Sequence, residues 1–189
     1  MTDPKNFSAY SFISIGANLP SATGSPQQTI AFAFQRLEKL STFPILKSSL
    51  YASSPVDSPE GTPDFLNAMA GIISNETETA LSLLHKLQEI ENAAGRTRSG
   101  IRNEARTLDL DLIIFKREVC HTPELILPHP RANERRFVLQ PLIEITQDGF
   151  LFPGFEMDLG KMLGAISDDQ AIRRLQYLNY PYNLASTIN

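Results

Sequence analysis

A single cysteine, Cys120, leaves the 189-residue chain without an internal disulfide and points to a reducing compartment. Basic charge is scarce as well. Seventeen Lys and Arg against 21 Asp and Glu give a net charge of −4, so the molecule as a whole is not built to draw nucleic acid or an anionic membrane. No apolar run approaches membrane-spanning length, and "MTDPKNFSAY" lacks the basic-then-apolar pattern of a leader. Internal repeats and low-complexity tracts are absent too. The expectation is a soluble, cytoplasmic, monomeric protein. A hydrophobic fraction of 42% and a charged fraction of 20% are ordinary for one folded domain with a substantial core.

What is present reads as alternating strands and helices. "YSFISIG" (10–16) alternates and ends at glycine, as a strand does. "SPQQTIAFAFQRLEKL" then predicts a helix, with Ser25 as cap, Pro26 in the first turn, Ile30, Phe34 and Leu37 on one face, and Pro44 as its stop. "ILKSSLYASS" (45–54) and "FLNAMAGIIS" (65–74) are predicted strands around a loop, "PVDSPEGTPD", that holds three prolines. Thr77 or Thr79 caps a second helix carrying Leu83, Leu84, Leu87, Ile90 and Glu91, and Gly95 ends it. After the strand "RTLDLDLIIF" (106–115) come a Pro-rich connection and a short helix, "NERRFVLQPLIEI", with Phe137, Leu139 and Leu142 turned inward. The order β-α-β-β-α-β is that of a split βαβ: an α+β fold with an antiparallel sheet and helices packed on it. The domain is expected over 1–150, with its core at 10–145. Residues 151–189 are expected as an extension, with short helices in "MDLGKMLGAI" and "DQAIRRLQYL" packed on the outside and a loose end.

The strand at 106–115 carries the chemistry. Side chains alternate along a strand, so Leu108, Leu110 and Leu112 share one face while Asp109 and Asp111 share the other. Two carboxylates about 6.5–7 Å apart along the backbone suit a shared pair of cations, and Mg²⁺ takes one or two carboxylates plus phosphate oxygens and water. A D-x-D pair alone is more often a salt-bridged surface feature. Here the neighbours count: Arg96, Arg98, Arg102 and Arg106 precede the strand and Arg131, Arg135 and Arg136 follow it, seven of eleven arginines in an acidic chain. Arginine's fork binds phosphate oxygens in pairs and never loses its proton. Carboxylates for Mg²⁺ beside arginines for phosphate are the parts of a phosphoryl-transfer site.

Phe65 and Asn67 lie on one strand face directly after the Pro-rich loop. An aromatic beside an amide can stack on a flat heterocycle and read its edge, although core packing explains both residues equally well in isolation. His85 among leucines reads as structural, and Cys120 with His121 supplies too few ligands for zinc.

"RTLDLDLIIF", preceded by "GRTR" and followed by "LPHPRANERRFVLQPL", resembles the 6-hydroxymethyl-7,8-dihydropterin pyrophosphokinase family. "SIGANL" and "SSLYASSPV…PDFLNA" match the same family in order and spacing, so the likeness runs from about Tyr10 to Ile145. The resemblance implies a ferredoxin-like fold and transfer of pyrophosphate from MgATP to the pterin's hydroxymethyl oxygen, releasing AMP, in folate synthesis. It implies that Asp109 and Asp111 hold two Mg²⁺ ions, that Arg96 and Arg106 face the transferring groups, and that Arg98, Arg135 and His129 grip the nucleotide. It places Gln88 on the nucleotide side and Glu91 near the ribose. Phe65 and Phe137 would sandwich the pterin, Asn67 would read its amide edge, and Ser53 and Val56 would add contacts. The chain departs from the family's habit at Asn103, Glu104 and Ala105, where an aromatic, a glycine and a proline are common; weaker MgATP binding is expected from that change.

Two other classes compete. A binding protein could keep the pterin or nucleotide pocket and lack turnover, and split βαβ folds also serve as RNA-binding modules. The second needs exposed aromatics and a basic sheet face, whereas this face carries two aspartates.

Overall fold

The computed structural model of the chain describes residues 7–55, 60–96, 105–146, 150–155, 157–167 and 170–175. Along these run β1 (Ser11–Ala17), α1 (Pro26–Glu38), β2 (Leu46–Lys47), β3 (Tyr51–Ser53), β4 (Phe65–Ile72), α2 (Ala80–Ala93) and β5 (Asp109–Phe115). They continue with β6 (Cys120–His121), β7 (Ile126–Leu127), α3 (Arg136–Ile145), α4 (Leu159–Ala165) and β8 (Ile172–Arg174). The main sheet is antiparallel in the order β5-β1-β4-β3-β8, with β2 on the far end of β4. That is the split βαβ topology expected from the order of elements. β6 and β7 form a separate two-stranded ribbon.

Local chemistry sets the element ends. Ser25 Oγ accepts from the Gln28 N–H while the Gln28 side chain accepts from the Ser25 N–H, a reciprocal cap with Pro26 in the first turn. α1 ends at Glu38, short of Pro44, because the chain is already tied to the end of β4: Thr42 N–H donates to Ile73 O at 2.8 Å and Ile73 N–H to Ser41 Oγ at 3.1 Å. Thr79 caps α2, and Gly95, with φ of 80°, takes the left-handed turn after it. The single strand expected over 45–54 is two pieces. Ser48 Oγ takes the Met69 N–H at 2.8 Å, replacing the carbonyl that a regular ladder would offer.

One sheet face carries Ile13, Ile15, Ala68, Ala70, Leu110 and Leu112 against Ile30, Phe34 and Leu37 of α1 and Leu83, Leu87 and Ile90 of α2. Each fully buried side chain of this kind contributes about 1.5–3 kcal/mol. The opposite face presents Phe12, Met69, Ile113 and Ile114 to Val138, Leu139 and Leu142 of α3 and to Leu159 and Met162 of α4. Gly71 lets Phe12 approach: a Cβ there would lie 3.1 Å from the Phe12 ring. The β1–β5 register slips between Phe12 and Ile13, leaving Ile113 as the extra residue of a bulge. Ile113 and Ile114 therefore both face α3, and Phe115 returns to the α1–α2 side.

The C-terminal segment corrects two expectations. Phe152, Leu159 and Met162 are buried in the same cluster as Tyr10 and Phe12, so this part of the extension is core rather than outer packing. "DQAIRRLQYL", expected as a helix, contains β8 instead; residues 176–189 lie outside the described ones. The free edge of β3 decides this. Tyr51 pairs with Arg174, and Leu175 N–H donates to Leu50 O at 2.9 Å. Glu144 of α3 secures the strand by accepting from Arg174 Nη2 at 2.8 Å and from Ser49 Oγ at 2.6 Å.

Candidate active site

Along β5, strict alternation up to Leu112 puts Asp109 and Asp111 on the α3 face, at the end where α3 leaves the sheet uncovered. Opposite them on β1 stand Gly16 and Ser14, and beyond Gly16 on β4 stands Asn67. The floor is thus a row of Asp109, Gly16 and Asn67. Gly16 keeps it open: a Cβ there would lie 3.8 Å from both Asn67 Oδ1 and Asp109 Cβ. Above this floor is a cavity of about 640 Å³, lined among others by Ser53, Phe65, Gln88, Glu91, Arg96, Arg106, His129, Arg135 and Phe137. The structure therefore gathers in one cavity every expected site residue except Val56 and Arg98, which lie outside the described residues, as do Asn103 and Glu104.

Asp109 is held by two arginines. Arg96 Nη1 is 2.7 Å from one carboxylate oxygen and Arg106 Nη1 is 2.8 Å from the other. Burial works against the Arg96 charge, but Asp109 and Glu91 outweigh it and hold its pKa above the ordinary value. Asp111 has less support, with Arg135 Nη1 at 3.8 Å. About a third of its side chain remains open, and it lines the cavity. Burial first, and the Asp109 charge second, push its pKa up to about 7. Asp111, the less supported carboxylate of the pair, favours a cation. Among the described residues no three His, Cys, Asp or Glu side chains cluster as a metal site. The donor set fits a cation that draws its remaining ligands from phosphate and water, as Mg²⁺ does.

Two of the three arginines that pair with the aspartates also cover the two aromatic walls. The Arg106 guanidinium lies 5.8 Å from the Phe65 ring centre and Arg135 lies 5.4 Å from that of Phe137. Asp109–Arg106–Phe65 and Asp111–Arg135–Phe137 are parallel triads, one on each side of the cavity. Phe137, expected to turn inward with Leu139 and Leu142, is instead half-buried at the cavity wall, and Val138 takes the core position. Asn67 Nδ2 donates to Ser53 Oγ at 2.9 Å, which turns the amide oxygen out over Gly16. Ser53, at 6% exposure, thus acts by orienting Asn67.

Glu91, 3% exposed, is bound to Arg96 and accepts the Leu110 N–H at 2.8 Å, so it anchors both the arginine and the edge strand. Gln88, one turn earlier on α2, is half-exposed at the cavity. His129 is anchored by its own N–H to Ile113 O at 2.9 Å, and its Nδ1 accepts the Arg131 N–H at 3.3 Å. Burial, with Arg135 and Arg131, lowers its pKa to about 4. The ring is therefore neutral at pH 7, with its proton on Nε2 as a hydrogen-bond donor.

Asn18 joins the site without having been expected there. Its Oδ1 accepts the Arg106 N–H at 2.7 Å, its Nδ2 donates to Pro63 O at 3.1 Å, and its own N–H donates to Arg106 O at 3.1 Å. One buried amide ties the segment before Phe65 to the arginine that holds Asp109. "GANL" carries the signal, but its meaning depends on partners 45 and 88 residues away.

Comparison with known proteins follows the same outline. The family described as 7,8-dihydro-6-hydroxymethylpterin-pyrophosphokinase matches residues 12–147. The chain is 39% identical over 139 residues to the 2-amino-4-hydroxy-6-hydroxymethyldihydropteridine pyrophosphokinase of Haemophilus influenzae, covering 72% of this chain and 81% of that one. To the protein of the same name from Bacillus subtilis it is 40% identical over 139 residues, covering 72% and 77%. Among solved structures, an HPPK-DHPS chain in complex with substrates superposes with a TM-score of 0.61 at 12% identity. The match covers 82% of this chain and 44% of that longer one, and supports the ferredoxin-like fold alone.

Proposed function

The chain belongs to the 7,8-dihydro-6-hydroxymethylpterin-pyrophosphokinase family, and from that premise we propose that its cavity transfers pyrophosphate from ATP to 6-hydroxymethyl-7,8-dihydropterin, releasing AMP, as a step of folate synthesis. One observation carries the assignment to this cavity. The Asp109–Asp111 pair, arginines from three segments and a Phe65–Asn67–Phe137 wall converge on a single floor. The catalytic unit is residues 1–150, with 151–189 as an extension.

In this reading the hydroxymethyl oxygen attacks the β phosphorus and releases its proton to water, the bond from that phosphorus to the α–β bridging oxygen breaks, and AMP leaves with its electron pair. Asp109 and Asp111 would hold Mg²⁺, which when bound would neutralise phosphate charge and orient the triphosphate. Arg96 and Arg106, which pair with Asp109 in the ligand-free protein, would face the phosphates of the bound nucleotide. Arg135 and the Nε2–H of His129 grip the nucleotide, with Gln88, Arg98 and Glu91 on that side. Phe65 and Phe137 enclose the pterin while Asn67 Oδ1 accepts from its amino edge, with Ser53 and Val56 alongside. Positioning and charge neutralisation supply the catalysis, and no covalent intermediate is required. The chain acts as a monomer on small molecules.

The test is incubation with the pterin alcohol and MgATP, followed by nucleotide analysis. AMP and the pterin diphosphate in equal amounts support the reading. ADP as the nucleotide product, or no turnover with tight binding of both ligands, overturns it; the latter would mark a binding protein.

A further inference from the structure

α1, α2 and α4 are each capped by their own N-terminal side chain: Ser25, Thr79 and Asp158. α3 is not. Its cap position is Arg135, which makes no side-chain cap hydrogen bond and whose guanidinium has no acceptor to offer. That position cannot change to Ser or Asp without removing the partner of Asp111. The missing acceptor arrives from the extension. Gln170 Oε1 accepts the Arg136 N–H at 3.1 Å, and its Nε2 donates to Glu134 O at 2.9 Å. The amide so brackets residue 135 from both sides. The Arg136 guanidinium adds a bond to Ile166 O at 3.2 Å, closing the same connection. Gln170 itself lines the cavity beside Arg135 and Phe137, although it lies beyond the segment shared with the family, 12–147.

We propose that Gln170 is a positioning residue: the cap of α3, supplied from the C-terminal extension, that sets Arg135 and Phe137 at the cavity wall. A cap is needed where the helix begins, because its first N–H groups have no partner within the helix. A frayed first turn would move both side chains, since Arg135 and Phe137 flank the capped amide. The kinetic part rests on the functional reading above; the structural part does not.

The experiment compares the full chain with Gln170→Met, which keeps the side-chain length and removes the acceptor, and Gln170→Glu, which keeps the acceptor for the Arg136 N–H at a helix N-terminus that favours a carboxylate while giving up the donation to Glu134 O. In Gln170→Met the Arg136 amide should exchange with solvent faster by about five- to tenfold, the usual weight of a cap. KM for pterin and for MgATP should rise by a similar factor while kcat stays within about twofold, because Arg135 and Phe137 hold the ligands equally in ground and transition states. Gln170→Glu should retain the amide protection and most of the substrate affinity. A lowered kcat at unchanged KM would mean only a smaller folded fraction and overturns the proposal, as does equal damage in both variants. Should the parent chain prove inactive, the Arg136 amide decides alone: unchanged exchange in Gln170→Met refutes the cap.

Discussion

Along β5 and the residue before it, Leu108, Leu110 and Leu112 enter the core beneath α1 and α2, while Asp109 and Asp111, one residue out of step, open on the cavity. The first face is apolar apart from Ser11 at one end and Lys47 at its edge. The second changes along its length: Phe12, Gly71 and Ile114 lie under α3, Ser14, Met69 and Asp111 form the next row, and Gly16, Asn67 and Asp109 form the floor. The contrast shows where a site can be cut into a small sheet. Unpaired polar groups are costly on a face buried by helices, so the chemistry sits where a covering helix stops. The same α3 whose Val138 and Leu139 seal one end brings Arg135 and Phe137 to the other.

Breaking the second face should cost function and little structure. Asp109→Ala or Asp111→Ala should lower turnover by about 10²–10³-fold or more, the scale for removing a group that stabilises transition-state charge, with the fold retained by circular dichroism. Pyrophosphate transfer near the parental rate in Asp111→Ala would contradict the metal role. The first face should behave in the opposite way. Leu110→Ala, one residue between the two aspartates, should lose about 2–5 kcal/mol in denaturant titration, the usual range for a buried leucine. KM values of the remaining folded protein should stay near parental.

Within the second face, the aromatic walls should separate the two ligands. Phe65→Ala and Phe137→Ala should each weaken pterin binding by about 1–3 kcal/mol, as loss of a stacking aromatic does, with KM for MgATP nearly unchanged. Equal losses for both ligands would make the rings general packing.

Much of this is legible in the sequence and some is not. The alternation of Leu108 to Leu112 and the Ser25 cap are local patterns, and the structure keeps them; of the arginine clusters, Arg96, Arg106, Arg131 and Arg135 line the cavity, while Arg98 and Arg102 lie outside the described residues. The bulge at Ile113 is not local: it arises from pairing with β1, and "LIIF" reads the same with or without it. β8 is a similar case, since "IRRL" also carries helical spacing, and only the open edge of β3 and Glu144 make it a strand. Asn18, Ser53 and Gln170 are opaque as positioning residues because an amide or hydroxyl has no preferred partner until the fold supplies one. Ser53, expected to touch ligand, turns its hydroxyl to Asn67.

A smaller effect follows from the raised pKa of Asp111. Its folded value, about 7, exceeds the ordinary 3.8, so the folded state binds this proton more tightly than the unfolded chain does. The ligand-free protein therefore loses stability from this group as pH rises from about 4 to about 7. His129, lowered to about 4, acts in the opposite sense, losing stability as pH falls below about 6.5. The two offset in the parent. Asp111→Asn isolates the first: its Tm advantage over the parent, measured without metal, should grow from pH 4 to 7 and then level. A constant difference across that range would mean that Asp111 titrates normally.

If the polar end of the second face is a cation-loading floor for a nucleotide, the cations can be counted. Mn²⁺ takes the oxygen ligands that suit Mg²⁺ and is visible to electron paramagnetic resonance. The measurement is the number of Mn²⁺ bound per chain with a non-hydrolysable ATP analogue and the pterin present. Two ions are expected in the parent, with loss of at least one in both Asp109→Asn and Asp111→Asn. Two ions retained in either variant would contradict the cation-loading floor.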